Sequence, residues 1–282
     1  MKFSHADADI FVPDGSSVEA ALARTTHLCI AAHQDDIEIM AYHGIAACHG
    51  RDDLWFTGVV VTDGAGSPRV GPFAKHTDDQ MKAVRREEQR AAARIGKYSA
   101  VVQLAHPSAD VKNRGNPVVR TDIASLLAAM APKVVYLHNP ADKHDTHVAV
   151  FLRSIEALRA LPPEKRPAQV FGCEVWRDLD WLLDTDKAVL DVSAKPGLAA
   201  DLLAVFASQI AGGKRYDLAA AGRRLANATF HTSHAADKAT ALTWALDLTP
   251  LVRDPKASVE DFVLAHLDRL RADVADRLEK FS

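Results

Sequence analysis

Short apolar runs alternate with longer helix-forming stretches along this chain, and that alternation narrows its possible folds more than any other feature. The runs are His27–Ala32, Leu54–Thr62, Ala100–Leu104, Lys133–Leu137, Gln169–Cys173 and Ala188–Val192. Most are rich in Val, Leu or Phe and little broken by charge, as expected of strands buried on both faces. Between them lie the helical patterns Glu38–Cys48, Asp78–Ile95, Thr121–Met130 and His144–Leu161. Gly96, Pro132 and Pro162-Pro163 supply stop signals. Strand and helix in turn predict βαβ units and an α/β fold, a mostly parallel sheet flanked by helices. After Lys195 the pattern becomes mainly helical, at Gly197–Ile210, Tyr216–Ala228 and Val259–Phe281, with Thr240–Leu248 as a further strand. No long Gly/Ser-rich linker or repeat divides the 282 residues. The expectation is one domain over 1–282 with a helical C-terminal extension, which packs in the same chain or between subunits of a homo-oligomer.

Composition excludes several classes. Hydrophobic residues at 48% and charged residues at 25% are ordinary globular usage. A net charge of −3 gives no electrostatic reason to expect nucleic acid. No stretch approaches a membrane span, and the N-terminus lacks an apolar signal core. Cys29, Cys48 and Cys173 are far apart and form no CxxC pair. They read as buried free thiols in a reducing compartment, so a cytoplasmic location is expected.

In a parallel sheet the C-terminal strand ends line one edge, where ligands bind. The polar segments of this chain all follow strands: His33–Asp36, Thr62–Arg69, His106–Arg114, His138–His147 and Glu174–Asp178. Segments distant in sequence should therefore meet. His33 and Asp36 are three apart just past a strand, and His144 and His147 three apart at a helix start. Zinc at a catalytic site usually takes three protein ligands and leaves a position for water. His33, Asp36 and His147 make such a set, Asp35 is then free as general base, and His144 can stabilise an oxyanion or protonate a leaving group. The competing reading of each segment alone is an Asp helix cap and ordinary polar loop residues.

The two segments also resemble a known family. Ala32–Glu38 looks like the AHPDDxE motif of the PIG-L/LmbE-like N-deacetylases, and Asp142–His147 like that family's later D-x-H-P-D-H segment. Thr62-Asp63-Gly64 resembles its T-x-G loop, and Arg85–Glu88 the R-x-x-E of the next helix. The resemblance covers about residues 27–150 and implies a Rossmann-like α/β fold. It further implies Zn2+, or another divalent metal, held by His33, Asp36 and His147, with Asp35 as base and His144 on the oxyanion side. The activity it implies is removal of an N-acetyl group from an amino sugar or glycoside. Gln34 departs from the family's proline, and Asp145-Thr146 from its Pro-Asp. Thr146 removes a carboxylate that could orient the histidines, a role open to Asp142 or Asp145.

Weaker candidates remain open. Arg69 could meet a sugar hydroxyl or phosphate, or be a solvated arginine. Glu174 and Trp176 could line a sugar pocket, with a core tryptophan the alternative. His231 and His234 read as an ordinary loop. Rival functions are an amidase for a larger N-acyl or thiol-sugar conjugate, a non-catalytic α/β binding module, and a nucleotide-binding transferase. Gly64-Ala65-Gly66 is no GxGxxG fingerprint, which weakens any nicotinamide reading.

Overall fold

The computed structural model describes residues 1–282. Eight strands build one sheet: β1 (Asp9–Phe11), β2 (His27–Ala31), β3 (Phe56–Thr62), β4 (Ala100–His106), β5 (Val134–His138), β6 (Gln169–Cys173), β7 (Lys187–Asp191) and β8 (Leu242–Asp247). Their order is β1-β4-β3-β2-β5-β6-β8-β7. The five strands β2 to β6 run parallel, β1 is antiparallel to β4 at one edge, and β8 runs antiparallel to both β6 and β7. This is a Rossmann-like α/β fold, mostly parallel and flanked by helices.

Side-chain alternation along the strands feeds two cores. Leu28, Ile30 and Ala32 join a cluster on one face, while Cys29 and Ala31 join the other. All five β2 residues are buried, which is why the run carries no charge. The three cysteines are buried free thiols. Strand order reverses at β2, with β3 on one side and β5 on the other. Loops leaving adjacent strands toward opposite faces open a crevice there, beyond the strand ends.

Three details differ from expectation. β1 carries no visible period, being three half-buried residues that depend on pairing with β4 far along the chain. The stretch Glu38–Cys48 is two helices, Asp36–Met40 and Tyr42–Cys48, broken at Ala41. The Arg224 guanidinium repairs that break, its Nη2 donating to the carbonyls of Glu38 and Ile39 at 2.9 and 3.0 Å. Gly197–Ile210 also splits, into Pro196–Ala204 and Ala207–Ala211.

The last helix, Val259–Phe281, buries only His266 and leaves Leu264, Leu267, Val274, Leu278 and Phe281 exposed. No helix is long and apolar enough to cross a membrane.

Candidate active site

The crevice between β2 and β5 gathers the polar segments expected at one edge. A cleft of about 300 Å³ is lined by His33, Asp35 and Asp36 after β2, and by Thr62 to Gly64 and Gly66 to Pro68 after β3. Ser108 and Lys112 follow β4, His144 and Thr146 follow β5, and Trp176 follows β6. Lys214 and Tyr216 close the ring from the C-terminal part.

Three donor atoms form a nearly equilateral triangle at its floor. His33 Nδ1 lies 3.2 Å from Asp36 Oδ2 and 3.2 Å from His147 Nε2, and the Asp36–His147 edge is 3.3 Å. A tetrahedral ion with ligands at about 2.0–2.1 Å requires a ligand–ligand edge of about 3.3–3.4 Å, close to these separations. The donors, two imidazoles and a carboxylate, suit a borderline divalent cation. The three residues therefore fit a metal. A ring nitrogen of His144 lies within 4.8 Å of those of His33 and His147.

The surroundings orient this set. Asp142 Oδ2 stands 3.3 Å from His147 Nδ1 and also accepts the Trp176 N–H at 3.2 Å, while Oδ1 accepts the His144 N–H at 3.1 Å. Asp142 thus supplies the orienting carboxylate that Thr146 lacks, and the exposed Asp145 does not. His138 is placed differently. Its Nε2 accepts the Ala32 N–H at 2.9 Å, which occupies the lone pair a metal would need.

Asp35 is buried at 5% exposure, on a backbone with φ of 87°, a left-handed conformation uncommon for a side chain other than Gly, Asn or Asp. The constraint has a visible source. Arg85, itself buried, donates from Nη2 to the Gln34 carbonyl and to Asp35 Oδ2, and from Nη1 to Glu88 Oε2 and Ser208 Oγ. The Asp35 N–H donates to Gln89 Oε1. Asp35 Oδ1 has no partner within the protein. Gly64 approaches the same corner with φ of 76°, and a Cβ there would sit 2.7 Å from Gln34 Oε1. Gln34 itself is buried and donates to Gln103 Oε1 at 3.2 Å, a polar tie where the related motif has a proline.

Electrostatics separate the two neighbouring carboxylates. Burial raises Asp35, Arg85 opposes it, Asp36 adds to it, and the result is about 6. Burial would raise Asp36 too, but His147, His33 and His138 outweigh it and hold that carboxyl well below its usual range. Burial lowers His147, yet Asp36 and Asp142 prevail and bring it to about 9. His144 is lowered by burial and by the neighbouring His147 and His33, which favours the neutral ring.

The other candidates fall in different places. Trp176 forms part of the cleft wall, its ring 6.2 Å from those of His144 and Tyr216. Glu174 lies behind it, its oxygens accepting the N–H groups of Leu179 and Trp244 and the Asn227 amide. Arg69 does not line the cleft. Its three nitrogens are bound to the carbonyls of His76, Ser67 and Ala65 and to Asp78, so it braces its own loop instead of facing a substrate. His231 and His234 are also absent from the lining. Glu38, though inside the first motif, bonds Tyr98 and Gln89 in the core. Lys214 and Tyr216 escaped the sequence reading, since they follow no strand and match no motif.

Residues 28–158 match the family model PIG-L, described as GlcNAc-PI de-N-acetylase. Over this segment the chain resembles the PIG-L family. No curated protein matches the chain. Solved structures do. A conserved protein from Thermus thermophilus superposes with TM-score 0.61 at 18% identity, covering 83% of this chain and 100% of its own. The N,N'-diacetylchitobiose deacetylase from Pyrococcus horikoshii gives 0.58 at 16%, covering 78% and 83%. GalB, the 4-carboxy-2-hydroxymuconate hydratase from Pseudomonas putida, gives 0.58 at 18%, covering 83% and 98%. At such identities the likeness establishes the fold. A hydratase beside a deacetylase shows that this fold alone does not fix the reaction, so the site must be argued from its own residues.

Proposed function

We propose that this protein is a metal-dependent hydrolase that removes an N-acetyl group from an amino sugar or glycoside. The observation that carries the reading is the triangle of His33, Asp36 and His147, flanked by a carboxylate and an imidazole in one polar cleft. A divalent ion such as Zn2+, when bound, supplies Lewis acidity toward a carbonyl oxygen and toward water.

The chain's own groups do the rest. The free Oδ1 of Asp35 accepts the proton of the attacking water, and a carboxyl near pKa 6 can return that proton to the leaving nitrogen. Arg85 fixes the other oxygen, so the base keeps one orientation. His144, neutral and held at the cleft wall, donates an N–H to the oxygen on which charge develops. Trp176 and Tyr216 present aromatic faces suited to a pyranose ring. One water is consumed, the C–N bond breaks, and acetate and a free amine leave.

The test is amine release from a panel of N-acetyl amino sugars, before and after chelation, with the metal content measured alongside. The reading predicts activity lost with the ion and restored with Zn2+. Undiminished turnover in the metal-free protein, or no amine from any N-acetyl sugar by the Zn2+-loaded protein, would refute it.

A further inference from the structure

A second cavity of about 230 Å³ adjoins the cleft and shares Asp36, Trp176 and Tyr216 with it. The two differ in character. The cleft is lined almost wholly by polar residues, whereas Ile39, Val175, Ala219 and Ala220 form walls of the second cavity. Ala219 and Ala220 belong to the helix Tyr216–Phe230, and their short side chains leave the space open. That volume would hold roughly seven waters at about 30 Å³ each, far more than the methyl of an acetyl group fills.

Three charged residues besides Asp36 border the cavity, and each is engaged within the fold. Arg224 Nη2 donates to the carbonyls of Glu38 and Ile39, and its guanidinium lies 4.8 Å from the Tyr42 ring. Arg223 Nη1 donates to the Val175 carbonyl at 2.5 Å. Glu174 accepts from the N–H groups of Leu179 and Trp244 and from the Asn227 amide, and its charge offsets those of both arginines. The cavity thus sets apolar wall beside the triangle of donors. Water gains little from such a wall, and an apolar group that displaces it is stabilised. The polar cleft has the opposite character and matches the hydroxyls of a sugar, which would be costly to bury against Ile39 and Val175.

We propose that the second cavity receives the acyl chain of the substrate, and that the preferred N-acyl group is an unbranched aliphatic one of about six carbons instead of acetyl. The inference rests on the hydrolase reading above, which puts the scissile amide beside Asp36, where the two cavities meet. The sugar occupies the polar cleft, and the chain beyond the carbonyl runs between Ile39 and Val175 on one side and Ala219 and Ala220 on the other. A hexanoyl amide places five carbons beyond its carbonyl, within the roughly seven water-sized volumes of the cavity. The reaction consumes one water, breaks the C–N bond, forms a C–O bond, and yields hexanoate and the protonated amine.

The experiment compares kcat/KM for N-acetyl-, N-butyryl- and N-hexanoyl-glucosamine in the Zn2+-loaded protein, with binding of free acetate and hexanoate followed by calorimetry. The wild type should favour hexanoyl over acetyl by roughly tenfold or more, with butyryl between them, because each added methylene leaves water for apolar wall. Ala219→Leu fills the cavity from an exposed helix position, so it does not crowd the core. Ala220→Leu fills it from the buried neighbour. Either variant should lower the hexanoyl-to-acetyl ratio by about threefold or more, and a ratio taken within one protein cancels any loss of folded material. A wild type that cleaves acetyl as well as hexanoyl, or two variants that both keep the wild-type ratio, would overturn the proposal. If no N-acyl sugar is cleaved, the hydrolase reading fails and the calorimetry decides the pocket. Hexanoate bound more tightly than acetate, with the difference reduced by Ala219→Leu, then sustains it, and equal binding of the two by the wild type refutes it.

Discussion

Replacing Arg85 with Met would expose how much of the site's architecture hangs on one buried ion pair. Arg85 is 1% exposed and bridges Asp35 at 2.9 Å and Glu88 at 2.8 Å, besides binding the Gln34 carbonyl. Methionine fills much of the same space but leaves Asp35 Oδ2 and the Gln34 carbonyl without their donor, and leaves Glu88 with the Ser208 N–H and hydroxyl but no cation. Breaking a buried pair from one side typically costs about 3–5 kcal/mol. At about 2–4 °C per kcal/mol for a chain near this size, the melting temperature should fall by roughly 6–20 °C. The deficit should depend on pH. Asp35 already titrates at about 6 against an ordinary 3.8, and loss of Arg85 removes a group that lowers it. A carboxyl raised in the folded state destabilises the fold once its unfolded form has ionised. That penalty grows above pH 3.8 in both proteins, but it levels off near pH 6 in the wild type and continues to the higher folded pKa of the variant, so the part of the deficit due to Asp35 opens above about pH 6. Metal-free protein melted in chelator at pH 5 and pH 8 should show the larger deficit at pH 8. Adding Glu88→Gln to Arg85→Met should recover part of the loss by removing one stranded charge. A melting temperature within 2 °C of wild type, about half a kcal/mol or so, or a deficit independent of pH, would refute the reasoning.

Asp35→Asn tolerates the positive φ, so it should keep the fold and the metal while kcat falls by about 10²–10⁴. Retained metal with wild-type kcat would remove Asp35 from the proton path. Asp142→Asn should weaken metal binding by about 10–100-fold in a competition titration, because His147 loses the carboxylate that fixes its tautomer. Unchanged affinity would show that Asp142 is not needed there. Gly64→Ala meets both a positive φ and a Gln34 contact at 2.7 Å, and chemical denaturation should register a loss of about 1–2 kcal/mol. A neutral result would mean the loop can yield.

How far the sequence discloses this molecule depends on the range of the forces involved. Gln169–Cys173 and Val259–Phe281 coincide with their observed elements, since local periodicity and flanking prolines or a Ser258 cap define both. The parallel sheet follows from alternation, and the meeting of His33, Asp36 and His147 from the position of their loops after strands. What escaped depends on contacts across the chain. The break at Ala41 is stabilised by Arg224, 186 residues beyond Glu38, and β1 exists only as a partner of β4. Asp142 and Asp145 are alike in sequence, and three-dimensional placement decides which one orients the histidines. Arg69 looked free because the chain gives no sign that its own loop curls around it.

The triangle of donors has a consequence for the topology of the chain as a whole. His33 and His147 are separated by 114 residues, and they leave from the two strands between which the sheet changes its winding direction. A cation gripped by both is a removable clasp around a loop as long as many complete domains. A covalent tie closing a loop of that size restricts the unfolded chain by about 4–5 kcal/mol. A coordination clasp draws on the same entropy and can be opened and closed by the free-ion concentration. Occupancy would then set how long the molecule survives as well as how fast it works, and chelation would loosen the seam between the two halves of the sheet first.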